Sequence, residues 1–364
     1  MRATATGTRL TIDLNALVAN YRYLAELCTP ASCAAAIKAD AYGLGLSKVL
    51  QSLLSAKCST FFVATVQEGI SARQVATELG FQPIVYVLEG PWEESIAYFA
   101  EYMLRPVLNS PGQVEIWKRA HRQGAAAIHV DTGMHRLGML IPEFENLDIE
   151  GLNIKLLMSH LACGDERDNP ANAQQLELMR STFAAYPSIP RSFAHSAGIL
   201  LGAEYHADLC RPGIGLYGGN PFVDGMNPMQ AVVTLEGRII QTHWHEAGVS
   251  VGYGASYTCS ERSLLATVGL GYADGLPKSQ GNRGLAYFRG RACNIVGKLS
   301  MDLTVVDVTS IASDIHEGDW LEFMGSHQSV EEVASSSGRF SYEILTRLGT
   351  RAERVYLPSD PAWS

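Results

Sequence analysis

The first two thirds of the chain alternate between short apolar runs and longer segments in which apolar residues recur at helical spacing. The short runs predict eight buried strands, near residues 34–37, 61–64, 84–88, 103–107, 126–130, 154–159, 192–194 and 207–209. The intervening spacing predicts helices at 66–79, 93–100, 110–123 and 172–185. Ser110-Pro111 supplies a capping serine followed by a proline at the first helical position. Eight strands separated by helices favour a (β/α)8 TIM barrel over an open sheet.

The pattern changes near residue 225, where Gly225-Met226-Asn227-Pro228 predicts a connector. Beyond it, runs rich in Val, Ile and Thr predict strands separated by Gly-rich turns, at 232–241, 264–269, 293–296 and 304–308. Helical spacing returns only at 330–335 and 342–348. We therefore expect a barrel domain over residues 10–225 and a C-terminal, mostly β domain over 226–364, with residues 1–9 packing against the latter.

The composition of the chain limits the classes of partner and the cellular compartment that are expected. The net charge of -9 argues against a nucleic-acid or anionic-membrane partner. No apolar run reaches the ~18 residues of a membrane span, and the N-terminus has no apolar core of a signal peptide. The seven cysteines contain no C-x-x-C pair, which indicates a reducing compartment. A soluble, cytoplasmic protein is expected.

The pair His243 and His245 has no third ligand at a diagnostic spacing, so no metal site is predicted.

Polar residues follow several of the predicted barrel strands, where barrel enzymes place their chemistry. Lys38 ends the first strand, and a lysine in a water-poor pocket would have the lowered pKa that a Schiff-base lysine needs. Taken alone, it fits better a lysine that extends from a strand end to solvent, and the rest of the chain reverses this preference. The other polar residues at strand ends are Asp131, Arg136, His160, Ser196 and Arg211. Together they predict a common polar mouth.

The run Gly213-Ile214-Gly215-Leu216-Tyr217-Gly218 matches G-x-G-x-x-G. It does not open a βαβ unit with a suitably placed ribose-binding acid, so a dinucleotide site is not predicted. After the last barrel strand, the run instead favours a phosphate held by backbone N–H groups. Ser196 could add a hydroxyl group.

These residues and several further motifs resemble the bacterial alanine racemase family of pyridoxal 5'-phosphate (PLP) enzymes over nearly the whole chain. The motifs keep the family order, and they are the lysine run 34–43, Asp131-Thr132-Gly133-Met134, Arg211-Pro212-Gly213, Tyr253-Gly254 followed by Tyr257, Gly271-Tyr272-Ala273-Asp274-Gly275, Ser300-Met301-Asp302 and Arg354-Val355-Tyr356. The resemblance implies an isomerase that interconverts L-alanine and D-alanine.

The resemblance also implies a role for each matching residue. Lys38 would hold PLP covalently and act as one acid/base group, with Tyr253 as the other on the opposite face of the substrate. Arg211 would donate to the pyridine nitrogen, and His160 would link it to Tyr253. The phosphate would be held by Tyr42, Ser196, Gly213, Ile214 and Tyr356. The substrate side would be formed by Arg136, Met301 and Tyr272. Since the family takes Tyr253, Tyr272 and Met301 from the other subunit, a homodimer with shared active sites is implied.

One position departs from the family pattern. Members typically carry a carbamylated lysine two residues before the Asp of Asp-Thr-Gly-Met, and its role is to orient the arginine that matches Arg136. Here that position is His129, which cannot form the carbamate of a lysine. We expect a chloride ion, a water molecule or another acidic group to take over this role. Substrate breadth beyond alanine stays open for the same reason.

Three other functions share part of this pattern. A PLP-dependent amino-acid decarboxylase also pairs a barrel with a β domain, but those enzymes place an acid at the pyridine nitrogen, where Arg211 is expected here. A PLP carrier protein would be a lone barrel and would lack Tyr253 and Met301. A racemase of broader specificity, acting on serine or basic amino acids, remains a same-scaffold alternative.

Overall fold

The computed structural model describes residues 6–121 and 123–358, and the chain divides into two compact units. The barrel unit comprises Leu17–Leu216 and Asn220–Met229. Among the described residues, the β unit comprises 6–16, 217–219 and 230–358. Residues 1–5 and 359–364, which the sequence assigns to the β domain, lie outside the described residues.

The chain begins with strand β1 (Thr8–Asp13), part of the β unit, followed by helix α1 (Leu14–Cys28). The barrel unit then contains the strands β2 (Ser32–Cys33), β3 (Ala35–Ala36), β4 (Thr60–Val63), β5 (Ile84–Val87), β6 (Arg105–Leu108), β7 (Ala126–Asp131), β8 (Met139–Leu140), β9 (Ile154–Met158), β10 (Arg191–Ser192) and β11 (Leu209–Cys210). Its helices are α2 (Lys38–Tyr42), α3 (Leu46–Ser55), α4 (Val66–Glu78), α5 (Ile96–Glu101), α6 (Pro111–His121), α7 (Ile141–Glu145), α8 (Pro170–Phe183) and α9 (Ser196–Leu201).

The barrel strands are parallel and form a ring. Seven of them lie in the order β3-β4-β5-β6-β7-β9-β10, and β11 pairs in parallel with β2. Only Ala34 separates β2 from β3, and its N–H donates to Cys210 O at 2.9 Å. On the other side of β11, Arg211 N donates to Ala194 O at 2.8 Å. The predicted (β/α)8 barrel is therefore confirmed, with all its carboxyl ends at one mouth.

The interior of the barrel is packed rather than hollow. One buried cluster takes side chains from β4, β5, β6, β7 and β9, together with Ala34 between β2 and β3, and its members are Ala34, Phe62, Tyr86, Val107, Ala127, Leu156 and Met158. Within this cluster the rings of Phe62 and Tyr86 stack, with centroids 5.0 Å apart. This packed interior fixes the positions of the polar side chains that follow the strands.

The β unit is an eight-stranded sheet that closes on itself. Its remaining strands are β12 (Val233–His245), β13 (Ser250–Val251), β14 (Tyr257–Thr258), β15 (Ser263–Val268), β16 (Leu285–Phe288), β17 (Arg291–Val296), β18 (Thr304–Asp307), β19 (Trp320–Met324) and β20 (Glu353–Leu357), with helices α10 (Val330–Ser337) and α11 (Ser341–Thr346). The order in the eight-stranded sheet is β15-β18-β17-β16-β19-β12-β1-β20, and β12 also pairs with β15. Strands β13 and β14 form a separate antiparallel pair. The mostly β C-terminal architecture is confirmed.

The sequence missed β1, because its only partners are β12 and the distant β20. Strand β12 is also longer than predicted. Its polar second half, which includes His243 and His245, is held by backbone pairing with β15. None of the helices in the described residues combines the length and apolarity needed to cross a membrane.

Candidate active site

Lys38 stands at the start of an unusual left-handed turn. The strand that precedes it ends at Ala36, two residues earlier than the sequence indicates. Ala39, Asp40 and Ala41 have φ of 53–54°, Tyr42 has φ 56°, and Gly43 closes the turn with φ 82°. Each non-glycine residue in this region costs roughly 1–2 kcal/mol. Such strain persists only where the surroundings impose it, and it concentrates at functional sites.

Glu68 is one residue that imposes this turn. Its Oε1 accepts from Ala39 N at 2.7 Å, and its Oε2 accepts from Ala64 N at 2.7 Å. The same residue closes a capping box with Thr65 at the start of α4. At the far end of the turn, Asp40 Oδ1 accepts from Leu46 N at 2.7 Å. Two carboxylates therefore tie the backbone around Lys38 to its neighbours.

Lys38 is half-buried, and its environment favours the neutral amine. Burial lowers the pKa of Lys38 most, the charge of Arg136 lowers it further, and Glu68 opposes the shift. The neutral amine is the nucleophilic form that reacts with an aldehyde. The predicted water-poor environment of this lysine therefore agrees with the described geometry.

Arg211 is buried at the same mouth, with 6 % of its surface exposed. Its Nη2 donates to Ser159 O at 2.8 Å and lies 3.4 Å from His160 Nδ1, while Nη1 donates to Ser192 Oγ. The guanidinium lies over the ring of Phe62 at 5.8 Å. Burial lowers the pKa of Arg211 to about 10, so the side chain stays cationic at neutral pH. Within the described chain, its Nε has no hydrogen-bond partner.

Ser196 organises the loop that follows β11. Its Oγ accepts from Gly213 N at 2.9 Å and from Gly215 N at 3.1 Å, which leaves its own proton for donation. The N–H of Ile214 meets no acceptor in the part of the chain that the structure describes. At Gly213 a Cβ atom would lie 2.2 Å from Tyr42 Oη, so any other residue would force Tyr42 to move. The predicted phosphate-binding residues of the barrel therefore surround one point.

Two histidines at the mouth are held neutral. Arg211 can only donate, so Nδ1 of His160 must accept from it. Burial lowers the pKa of His160 well below its usual range, with further contributions from His195 and Arg211. His195 Nδ1 accepts from Ala197 N at 3.1 Å. Its pKa falls to about 4, first through burial and then through Arg211. The lasting positive charges here are those of Arg211 and Arg136.

His129, the position that departs from the family pattern, is 7 % exposed and also neutral. Burial, followed by the charge of Arg211, lowers its pKa to about 4. Asn109 Nδ2 donates to Leu88 O at 2.9 Å and to Val107 O at 2.8 Å, which assigns Asn109 Oδ1 as an acceptor. His129 Nδ1 lies 3.1 Å from that oxygen and must carry the proton. Its Nε2 is therefore an acceptor, which is unsuited to binding chloride.

This burial predicts how stability depends on pH. The folded pKa of His129 is about 4, whereas an unfolded histidine titrates near ~6.5. Between these values only the unfolded state takes up the proton, so the free energy of unfolding falls as pH drops from 6.5 towards 4. His129→Gln should flatten this slope in urea titrations at pH 7 and 5. The exposed His243→Gln should leave the slope unchanged, and equal slopes for His129→Gln and wild type would contradict the assignment.

Arg136 lies on an exposed loop after β7, and Asp131 holds this loop in place. Asp131 Oδ1 accepts from Gly133 N and Met134 N, each at 2.8 Å. Burial raises the pKa of Asp131, but the N–H groups of Gly133, His135 and Met134 together lower it below its usual range. Asp131 is therefore a structural carboxylate that positions the loop carrying Arg136.

The remaining predicted residues lie in the β unit. Tyr253 is 72 % exposed and sits in a short 3-10 turn between Gly252 (φ 68°) and Gly254 (φ 72°). Both glycines adopt backbone angles that other residues rarely reach. The chain can therefore turn sharply on each side of Tyr253 and leave its phenol projecting. Tyr356 lies on β20, opposite Ile12 of β1.

Tyr272 and Met301 are brought together within the β unit. Tyr272 N donates to Ser300 O at 3.1 Å, and Ala273 N donates to Met301 O at 3.0 Å. A Cβ at Gly271 would lie 2.4 Å from Met301 O, so this contact requires glycine. Arg351 braces the same loops, since it donates to Asp274 Oδ2 at 2.7 Å and also pairs with Asp302.

Some residues of the site were missed by sequence reasoning. Glu68 was visible only as the fourth residue of a Thr-x-x-Glu capping pattern, which gives no sign of its second contact with Ala39. Asn109 and Ser192 carried no signal, because their partners lie far away along the chain. Phe62 was recognised only as part of an apolar strand.

Comparison with known families matches both halves of the chain. The model described as "Alanine racemase, N-terminal domain" matches residues 12–221, and "Alanine racemase, C-terminal domain" matches residues 232–356. An alanine racemase from Rhodospirillum rubrum is 44% identical over 366 residues, covering 98% of this chain and 96% of that protein. A catabolic alanine racemase from Agrobacterium fabrum is 42% identical over 358 residues, covering 96% of this chain and 92% of that protein.

A solved structure supports the same relationship. Alanine racemase from Bartonella henselae, with covalently bound pyridoxal phosphate, superposes with a TM-score of 0.92 at 39% sequence identity. The alignment covers 97% of this chain and 100% of that chain. Both architecture and sequence are therefore shared over the full length of the relative.

Proposed function

Because the chain belongs to the alanine racemase family, we propose that it interconverts L-alanine and D-alanine with PLP, using Lys38 and Tyr253 as the two acid/base groups. The observation that carries this proposal is the half-buried Lys38 amine. It has a lowered pKa and shares the barrel mouth with the buried cation Arg211. The family relationship supplies the reaction, and these residues supply the chemistry it needs.

The barrel residues fit PLP. Three donors are left without a protein partner in the described chain: the Arg211 Nε–H, the Ile214 N–H and the Ser196 hydroxyl proton. The first suits a ring nitrogen, and the other two suit a phosphate group. Gly213 keeps the space beside Tyr42 Oη free of a side chain. We assign the phosphate to Tyr42, Ser196, Gly213 and Ile214, with Tyr356 completing the set.

Arg211 also sets the character of the cofactor. When bound, PLP withdraws the negative charge that develops on the substrate α-carbon. A guanidinium stays protonated and only donates, so Arg211 would keep the pyridine nitrogen unprotonated and weaken this withdrawal. A short-lived charge suits racemisation and disfavours side reactions. An acid in this place, as in decarboxylases of similar architecture, would have the opposite effect, so Arg211 argues against that alternative.

Proton transfer requires a base on each face of the substrate. Tyr253 removes the α-proton of L-alanine, and Lys38 removes that of D-alanine. Each returns a proton when the reaction runs the other way. Neutral His160, in contact with Arg211, would link Tyr253 to a permanent cation. Arg136 and the backbone N–H of Met301 would hold the substrate carboxylate, and Tyr272 would narrow the entrance.

We propose a homodimer in which Tyr253, Tyr272 and Met301 complete the active site of the other subunit, as the family resemblance implies. In this arrangement residues 10–225 form the PLP-binding domain and residues 226–364 supply the complementary groups. We place the enzyme in the cytoplasm, where it would either make D-alanine for the cell wall or begin the breakdown of D-alanine.

His129 should make activity independent of bicarbonate. A neutral imidazole cannot form the carbamate of a lysine. Its Nε2 can instead accept a hydrogen bond from Arg136, either directly or through a water molecule. Removing carbon dioxide from the buffer, or adding bicarbonate, should leave kcat/KM unchanged for wild type. The control is His129→Lys, whose amine could form a carbamate. A reversible rise of wild-type activity with bicarbonate would contradict this role of His129.

A chiral assay of the purified, PLP-loaded protein against a panel of amino acids tests the proposed function. Alanine should be racemised to equal amounts of both enantiomers, with a higher kcat/KM than serine, lysine or arginine. Faster turnover of serine or a basic amino acid would favour the broader racemase. Carbon dioxide release without racemisation would identify a decarboxylase and overturn the proposal.

A further inference from the structure

A second cavity lies at the end of the barrel opposite the polar mouth. It has a volume of about 660 Å³ and is bordered by residues that precede or begin β5, β6 and β7, together with α4, α5 and α6. Because the strands are parallel, these are the amino ends of the strands, whereas Lys38 and Arg211 follow the carboxyl ends. The volume falls within the range of about 300–1,000 Å³ that is usual for small-molecule sites.

The lining of this cavity is cationic in an acidic protein. Arg73, Arg105 and His121 line it, and none of its described lining residues is Asp or Glu. Phe99 and Trp117 form an aromatic wall with ring centroids 5.8 Å apart, edge to face. Such a lining suits an organic anion with an apolar body.

Arg73 provides the second observation that points to an anion. It is 5 % exposed, and its Nε and Nη2 donate to the carbonyl oxygens of Tyr102, Pro83 and Met103 at 2.8–3.0 Å. Its Nη1 is fully enclosed and has no hydrogen-bond partner among the described residues. Burial lowers the pKa of Arg73, and no acidic group opposes the shift. A buried charge without a counter-ion is costly, and so is an unsatisfied donor.

We propose that this cavity binds a small aromatic carboxylate, with the carboxylate pairing with Arg73 and the ring packing against Phe99 and Trp117. Because Nη1 is enclosed, the proposal requires the Arg73 side chain to turn towards the cavity that it lines when the ligand binds. The site is separate from the catalytic mouth and does not depend on the proposed racemase activity.

Fluorine NMR of the PLP-loaded full-length protein, labelled with 5-fluorotryptophan, tests this directly. Trp117→Phe assigns the resonance of Trp117. Benzoate should shift that resonance saturably, whereas benzyl alcohol, with the same ring and no charge, should bind at least tenfold more weakly. Inorganic phosphate, with charge and no ring, should also bind weakly. Failure of benzoate to move the Trp117 resonance would overturn the proposal.

Matched variants locate the ligand. Arg73→Met should weaken the benzoate effect at least tenfold, and the exposed Arg22→Met should not change it. Ala120→Phe narrows the cavity and keeps Arg73, and it should also weaken benzoate binding. This variant still tests the proposal if Arg73→Met does not fold. Equal binding by wild type and Ala120→Phe would contradict the proposal, as would equal weakening by Arg22→Met and Arg73→Met.

Discussion

Lys38→Ala is expected to abolish racemisation and the visible absorbance of covalently held PLP together. The Lys38 amine is the one we propose to bond to the aldehyde, and its lowered pKa makes the neutral form available at modest cost. Loss of the same group also removes the base that acts on D-alanine. Loss of one acid/base group usually lowers the rate by about 10²–10⁴-fold. Because Lys38→Ala removes such a group and the covalent link to PLP together, we expect activity to fall by at least about 10³-fold.

The measurement is an absorbance spectrum of the purified variant with added PLP, followed by borohydride reduction and peptide mass analysis. Wild type should show one reduced adduct, on Lys38. Lys48→Ala, which changes an exposed lysine on α3, should retain the adduct and full activity. A borohydride-reducible adduct that survives in Lys38→Ala would remove this lysine from its assigned role.

Tyr253→Phe is expected to separate the two directions of proton transfer. The variant keeps the ring in its glycine-flanked turn and loses only the hydroxyl group. Exchange of the α-proton of L-alanine with deuterated solvent should fall by about 10²–10⁴-fold, the usual contribution of an acid/base group. Exchange from D-alanine should persist, because Lys38 is unchanged.

The experiment follows the α-proton signal of each enantiomer separately by NMR. PLP binding should stay at the wild-type level, since the residues assigned to the phosphate are intact. Tyr23→Phe, at an exposed tyrosine on α1, is the matched control. If Tyr253→Phe exchanged L-alanine at the wild-type rate, another group would have to be the base on that face.

The sequence predicted the architecture well because its strongest signals are local. The apolar runs of the barrel are short, and each overlaps a strand of the ring. Strand β1 escaped detection because its parallel partner, β20, begins more than 300 residues later. A pattern along the chain cannot reveal a pairing that depends on so distant a segment.

The sequence predicted which residues form the candidate site, but it did not predict their local backbone geometry. Lys38 was expected at a strand end, whereas it begins a left-handed turn that Ala39 and Asp40 would not adopt on their own. That turn depends on Glu68, whose contact with Ala39 is tertiary. The expectation of chloride at His129 does not suit the protonation that Asn109 imposes. Both differences arise from hydrogen bonds between distant parts of the chain.

The central claim is that two separate groups, one on each face, carry the proton in racemisation. Its most direct test is the isotope content of the first product formed from L-alanine in deuterated solvent by the wild-type protein. The account predicts D-alanine that carries solvent deuterium at the α-carbon from the first turnover, while unreacted L-alanine still holds its original hydrogen. D-alanine that retains the original hydrogen would show that a single group moves the proton from face to face, and would contradict the account.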